Sequence, residues 1–121
     1  MRRNLTRAER LKRKADFDRV FQRGKRVKGD GSKLIVLENG LERTRYAVSP
    51  AKKYGSSVER NRAKRICREV CRNNKHRLSA GYDVVMVIYP GSDTFAERQE
   101  QFLILAERAS ILASQSTFPR N

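Results

Sequence analysis

Six side chains within nine residues, Arg60, Asn61, Arg62, Lys64, Arg65 and Arg68, could grip a phosphodiester backbone. A guanidinium presents a planar fork of donors that matches two phosphate oxygens, and the Asn61 amide both donates and accepts, as a ribose hydroxyl, a base edge or a hydrated metal would require. They belong to the stretch Lys52–Arg72, KKYGSSVERNRAKRICREVCR, in which Lys52 and Lys53 add two cations. Read as a helix, this stretch puts Ala63, Ile66, Cys67, Val70 and Cys71 on one apolar stripe and Asn61, Lys64, Arg65, Arg68 and Arg72 on the other side. Lys64–Arg68 and Arg68–Arg72 are like-charge i, i+4 pairs, each costing roughly 0.2–0.5 kcal/mol. Arg65 with Glu69 is the one clear attractive pair. A face that merely kept the chain dissolved would gain nothing from excluding acids, so an anionic cover is expected.

Groups for protein-borne catalysis are scarce. The single histidine, His76, lies in a polar stretch with no fixed acid or nucleophile beside it and reads as solvated. Asp16 and Asp18 flank Phe17 but point apart on a helix, and read as first-turn acids favoured by the helix dipole. No Cys/His set has zinc spacing and no glycine-rich phosphate loop follows a strand, so neither catalytic nor metal-ligating residues are expected. Cys67 and Cys71, one helical turn apart on the apolar stripe, read as reduced core residues, since the helix disfavours a disulfide between them. Phe17 and Phe21, with Arg19 and Arg23 nearby, have two readings: a short helix pinned to a sheet, or a stacking platform for single-stranded bases.

The elements that must position these groups fit one domain of 121 residues. With 28 Lys+Arg against 13 Asp+Glu, the formal net charge is +15, the balance of a nucleic-acid binder. Residues 1–28 and Lys52–Arg72 together hold 20 of the 28 bases, so the charge is localised. No run of 18 apolar residues exists and the N-terminus lacks a signal-like apolar stretch, so a cytoplasmic chain with no membrane partner is expected. Residues 1–13 read as a flexible basic arm, 14–113 as the single folded RNA-binding domain, and 114–121 as a polar tail.

Within the domain, Phe17, Val20 and Phe21 recur at helical spacing before Gly24 as a stop, and Gly29-Asp30-Gly31 precedes a strand at Lys33–Leu37. Asn39-Gly40 is a hairpin signal that predicts Arg43–Ser49 as the returning strand. Ser56-x-x-Glu59 is a capping box opening the basic helix, which should run to about Asn74. Tyr82–Tyr89 reads as a strand buried on both faces, and Thr94-x-x-Glu97 opens a helix to about Ser114 with Phe102, Leu105, Ala106, Ala109 and Leu112 inward. The order α-β-β(-β)-α-β-α implies an α+β fold, an α/β sandwich with a small central sheet. Any parallel strand–helix–strand unit in it would by default cross over right-handedly.

Lys52-Lys53-Tyr54-Gly55 followed by Val58-Glu59-Arg60-Asn61-Arg62-Ala63-Lys64-Arg65-Ile66-Cys67-Arg68-Glu69 resembles the KKxGxxVxRNRxKRxxRE signature of the bacterial ribonuclease P protein component. Arg10-Leu11-Lys12, Asp16-Phe17-x-x-Val20-Phe21-x-x-Gly24, Gly81-Tyr82-Asp83-Val84-Val85 and Pro90-Gly91 extend the likeness across roughly residues 8 to 112. The resemblance implies a protein subunit of a ribonucleoprotein whose RNA carries the active site and whose substrate is precursor tRNA. It implies that Arg60, Asn61, Arg62, Lys64, Arg65 and Arg68, supported by Lys52 and Lys53, contact the RNA subunit. Phe17, Phe21 and Arg19 would face a cleft for the 5′ leader, Mg²⁺ would be held mainly by the RNA, and no organic cofactor or obligate protein partner would be needed. The family's βαβ crossover is left-handed. The rival classes are a structural, ribosomal-type RNA-binding protein without substrate contact, and a nuclease acting alone.

Overall fold

A strand as apolar as Tyr82–Ile88 needs cover on both faces and partners on both edges, and the chain supplies all four. The computed structural model describes residues 7–91 and 93–113. Its elements are α1 (Lys14–Arg23), β1 (Lys25–Lys28), β2 (Ser32–Glu38), β3 (Arg45–Pro50), α2 (Ser57–Asn74), β4 (Tyr82–Ile88) and α3 (Phe95–Arg108), with short 3₁₀ turns at Arg7–Glu9 and Lys75–Arg77. The sheet order is β1-β2-β4-β3: β1 with β2 and β2 with β4 are antiparallel, β3 with β4 is parallel. This is an α+β fold.

Two expectations about the sheet are corrected. The Asn39-Gly40 turn forms locally, with Gly40 at φ 72° and Asn39 Oδ1 accepting from the Leu41 amide at 2.8 Å. Yet it does not make a hairpin of β2 and β3, because β4 lies between them. The most apolar strand takes the interior position, and the more polar β3 is displaced to the edge. The strand β1 was not foreseen, since Lys-Arg-Val-Lys carries no apolar pattern; it is an edge strand, where cations are tolerated because one side faces water. Gly24 ends α1 with an ordinary negative φ of −71°, so its role is close approach: a Cβ there would meet Ile35 Cγ2 and the Val20 carbonyl at 2.6 Å.

Strand parity sorts the core into two layers. Even-numbered Leu34, Val36, Tyr46, Val84, Met86 and Ile88 face α2 and α3, meeting Ala63, Cys67, Val70, Cys71, Phe102, Leu105 and Ala106. Odd-numbered Ile35, Val85 and Val87 face α1, meeting Val20 and Leu11, with Phe17 and Phe21 packed alongside. Each fully buried aliphatic contributes about 1.5–3 kcal/mol. The capping box at the start of α2 is complete: Ser56 Oγ accepts from the Glu59 amide at 3.2 Å, and Glu59 Oε1 accepts from the Ser56 amide at 2.9 Å.

At the ends, residues 7–13 do not behave as a free arm. The Leu11 amide donates to the Tyr46 carbonyl at 2.9 Å, Arg10 bridges to Tyr46 in parallel, and Leu11 is buried against α1's side of the sheet. The reason is the open edge of β3, which offers backbone partners that composition does not reveal. Residues 1–6 and the tail 114–121 lie outside the described residues. The last helix stops at Arg108, short of Ser114, because Ser110 turns left-handed at φ 64° and Leu112 leaves the helix to bridge Leu78.

One ion-paired group ties α1 to the sheet. Arg45 donates from Nε and Nη2 to the two oxygens of fully buried Asp83 at 2.8 and 2.7 Å, and from Nη1 to Asp16 on α1 at 3.3 Å. Asp83 also accepts from Asn39 Nδ2 at 2.9 Å. The Asp83 hydrogen bond is the main reason the Arg45 guanidinium holds its proton more tightly than usual. Asp83→Ala would leave the half-shielded Arg45 charge unpaired. The expected cost is about 3–5 kcal/mol of unfolding free energy, measurable by urea titration.

Candidate nucleic-acid interface

The basic helix begins where it does because of the loop before it. Gly55 takes φ 138°, and a Cβ there would collide with Glu59 Oε1, the oxygen that reaches back to cap Ser56. One residue earlier, Tyr54 is buried, and its hydroxyl donates to the Asp93 carboxylate while accepting from Arg98 Nη2 at 2.8 Å. Burial, with that Asp93 bond, pushes the Tyr54 phenol up to about 12. Arg98 is itself fully buried and also donates to the Gly31 carbonyl at 2.9 Å, the Tyr89 carbonyl at 2.7 Å and Asp93 at 3.0 Å. A buried charge thus joins three loops to α3, and through Tyr54 it anchors the segment that displays Lys52 and Lys53. Sequence reasoning missed it, since an arginine on an amphipathic helix gives no sign of facing inward.

The side chains of α2 fall into three groups. Asn61, Arg62, Arg65 and Arg68 are exposed, as are Lys52 and Lys53 in the preceding loop. Arg60 is different: lying at i−3 from Ala63 and i−7 from Cys67, it shares the inward stripe. Its guanidinium donates to the Ala51 and Lys52 carbonyls at 3.0 and 3.3 Å, so it holds the lysine loop in place. Lys64, half-buried, leans to one side with Arg68. Val58, 76% exposed, heads the outward stripe of Asn61, Arg62 and Arg65, an apolar contact that the charge pattern concealed. The acid Glu69 accepts from Arg72, its i+3 neighbour, rather than pairing with Arg65 as expected.

The cysteines beneath this face are inert. Both are free and buried, and desolvation pushes the Cys67 thiol up to about 11 and raises Cys71 likewise, so neither is a thiolate near neutrality. His76 is exposed. Among the described residues, no three His, Cys, Asp or Glu side chains converge as metal ligands, and no helix is long and apolar enough to cross a membrane.

The aromatic helix meets the basic one. A cleft of about 220 Å³ at the β3 edge is lined by Phe17 of α1, by Arg10 and Lys12, by Tyr46, Ala47 and Val48 of β3, and by Lys64, Arg68 and Cys71 of α2. The Phe17 and Phe21 rings are 6.4 Å apart and inclined by 16°, with Phe21 behind Phe17. Both are half-buried against the Ile35, Val85 and Val87 layer, so the core and platform readings hold together: one ring face packs on the sheet while Phe17 also lines the cleft. Phe21 does not line it, and nor does Arg19, which pairs with Asp16 at 2.5 Å. Arg10 and Lys12 are cleft residues that the reading of 1–13 as an arm had hidden.

Residues 5–110 match the family model described as Ribonuclease P. The ribonuclease P protein component of Pelotomaculum thermopropionicum is 39% identical over 103 residues, covering 84% of this chain and 92% of that one. That of Thermotoga maritima is 33% identical over 84 residues, covering 69% and 72%. In structure, the RNase P protein of Staphylococcus aureus superposes with a TM-score of 0.78 at 25% identity, covering 88% of this chain and 99% of that one. The T. maritima protein gives 0.74 at 28% identity, covering 83% and 96%. With the sheet order, the RNR helix and the β3-edge cleft in place, the chain belongs to the ribonuclease P protein family and is the protein component of that endoribonuclease.

Proposed function

We propose that the cleft at the β3 edge receives the single-stranded 5′ leader of precursor tRNA while the outward face of α2 lies on the RNA subunit. Association with ribonuclease P RNA follows from family membership; the assignment of the two surfaces is carried by one observation. Phe17, the only exposed-edge aromatic ring in the lining besides Tyr46, shares a single cleft with Arg10, Lys12, Lys64 and Arg68. A stacking surface flanked by cations suits unpaired nucleotides, whose bases stack while their phosphates pair with guanidinium groups. Asn61, Arg62, Arg65 and Val58 leave this cleft and present the second surface.

The reaction is hydrolysis of the phosphodiester at the 5′ end of the mature tRNA sequence, and its chemistry belongs to the RNA subunit. Mg²⁺ held by RNA phosphates would polarise the scissile group and supply the nucleophile. The protein's own contribution is to neutralise charge and to position the substrate, in the cytoplasm where precursor tRNA is made. Bringing a polyanionic substrate against a polyanionic ribozyme costs repulsion, which a chain of net charge +15 offsets, more at low salt than at high.

Purified protein added to precursor tRNA at low Mg²⁺ is expected to give the mature 5′ end only when a bacterial ribonuclease P RNA is present. Cleavage without RNA would make the chain a nuclease in its own right, and no stimulation with RNA would favour a purely structural RNA-binding role. Phe17→Ala is expected to weaken leader-bearing substrate by at least about fivefold, as the loss of a stack worth about 1 kcal/mol implies, and to spare mature tRNA. Phe17→Tyr, which keeps the ring, should bind as the parent does. Equal losses for both substrates on Phe17→Ala would remove the leader from the cleft.

A further inference from the structure

We propose that a second basic groove, beside the first cleft, carries the phosphate backbone of the leader onward, so that the chain measures leader length. The proposal rests on the leader reading above. The groove, about 420 Å³, is walled by Arg7, Arg10, Lys12, Arg13 and Arg43, with Arg45 and Asp16 at its base. It shares Arg10 and Lys12 with the Phe17 cleft, so the two form one continuous track around the start of β3.

The charge in this groove has no internal counterpart. Asp16, the one carboxylate in the lining, is already engaged by Arg19 and Arg45. Among the described residues no carboxylate pairs with Arg7, Arg10, Lys12, Arg13 or Arg43. All five are exposed. Nor is the groove an accident of loose side chains, because Arg43 Nε donates to the Ala8 carbonyl at 2.8 Å and the Leu11 amide to Tyr46, which fix its two walls together. Arg13 and Lys14 add cations at the N-terminal end of α1, where the helix dipole disfavours them unless an anion is near.

The chemistry of the lining says what is bound. It has guanidinium and ammonium groups but no aromatic ring, so it recognises phosphates and not bases. The bound strand would therefore be read by length and not by sequence in this part. The occupant is the leader and not the RNA subunit because no residue of α2 lines the groove, whereas the segment that does runs directly into the Phe17 cleft.

The test uses the full chain reconstituted with a bacterial ribonuclease P RNA and a ladder of precursor tRNAs, with leaders ranging up to the roughly 4–16 nucleotides that single-strand grooves accommodate. The double variant Arg7→Gln/Arg13→Gln removes two cations that make no hydrogen bond among the described residues. For long leaders its affinity should fall roughly tenfold, and the slope of log K against log salt should become shallower by about 1.4. Short leaders and mature tRNA should bind as with the parent. A loss that is the same at every leader length would assign the groove to the RNA subunit or the tRNA body and overturn the proposal, as would no loss at any length. Phe17→Ala on the same ladder separates the two levels: if it discriminates by leader and the double variant does not, only the groove proposal fails; if neither does, the cleft assignment fails as well.

Discussion

The fold depends on Arg45 lying between Asp83 and Asp16. A parallel β3–β4 pair leaves β3 at the sheet edge, and the first residue of that strand reaches across to hold a helix that is otherwise joined to the sheet by a small apolar layer. Were Arg45 released, nothing else among the described ion pairs would fasten α1 to β3. Because α1 is fixed there, Phe17 stands beside Tyr46 and Val48, and the residues before it run along the β3 edge. Burying such an ion pair is costly, and it survives only because each Asp83 oxygen has a donor. The interaction contributes placement of one helix more than net stability.

The two helices on the opposite sheet face show how charge orients the molecule. α3 exposes Glu97, Glu100 and Glu107 and buries one of its two arginines, whereas α2 exposes Asn61, Arg62, Arg65 and Arg68. Packed side by side, they present unlike surfaces to a polyanion, so RNA approaches from α2 and the β3 edge. The cations there crowd one another at a cost of a few tenths of a kcal/mol per pair, which phosphate relieves on binding. Lys64 and Arg68, which line the cleft from the helix side, stand where the surface for RNA subunit and the surface for substrate meet.

Much of this was legible in the sequence, where local physics decides. The capping box at Ser56, the apolar stripe through Ala63, Cys67 and Val70, and the doubly buried strand at Tyr82–Ile88 all follow from periodicity and short-range hydrogen bonding. What escaped was decided at long range. No local signal says that β4 will slip between β2 and β3, that Arg98 will turn inward to meet Tyr54 and Asp93, or that the segment around Leu11 will lie on β3. Arg60 is the instructive case: the RNR motif groups it with Arg62, while its helical phase groups it with Ala63, and the geometry obeys the phase.

The central claim is that one cleft takes the substrate and a separate helix face takes the ribozyme. Site-directed photocrosslinking in the reconstituted complex tests it most directly, with a photoreactive side chain placed in turn at Phe17 and at Arg65. The account predicts that position 17 crosslinks to leader nucleotides and position 65 to the RNA subunit. Crosslinks from position 17 to the RNA subunit, or from position 65 to the leader, would contradict it.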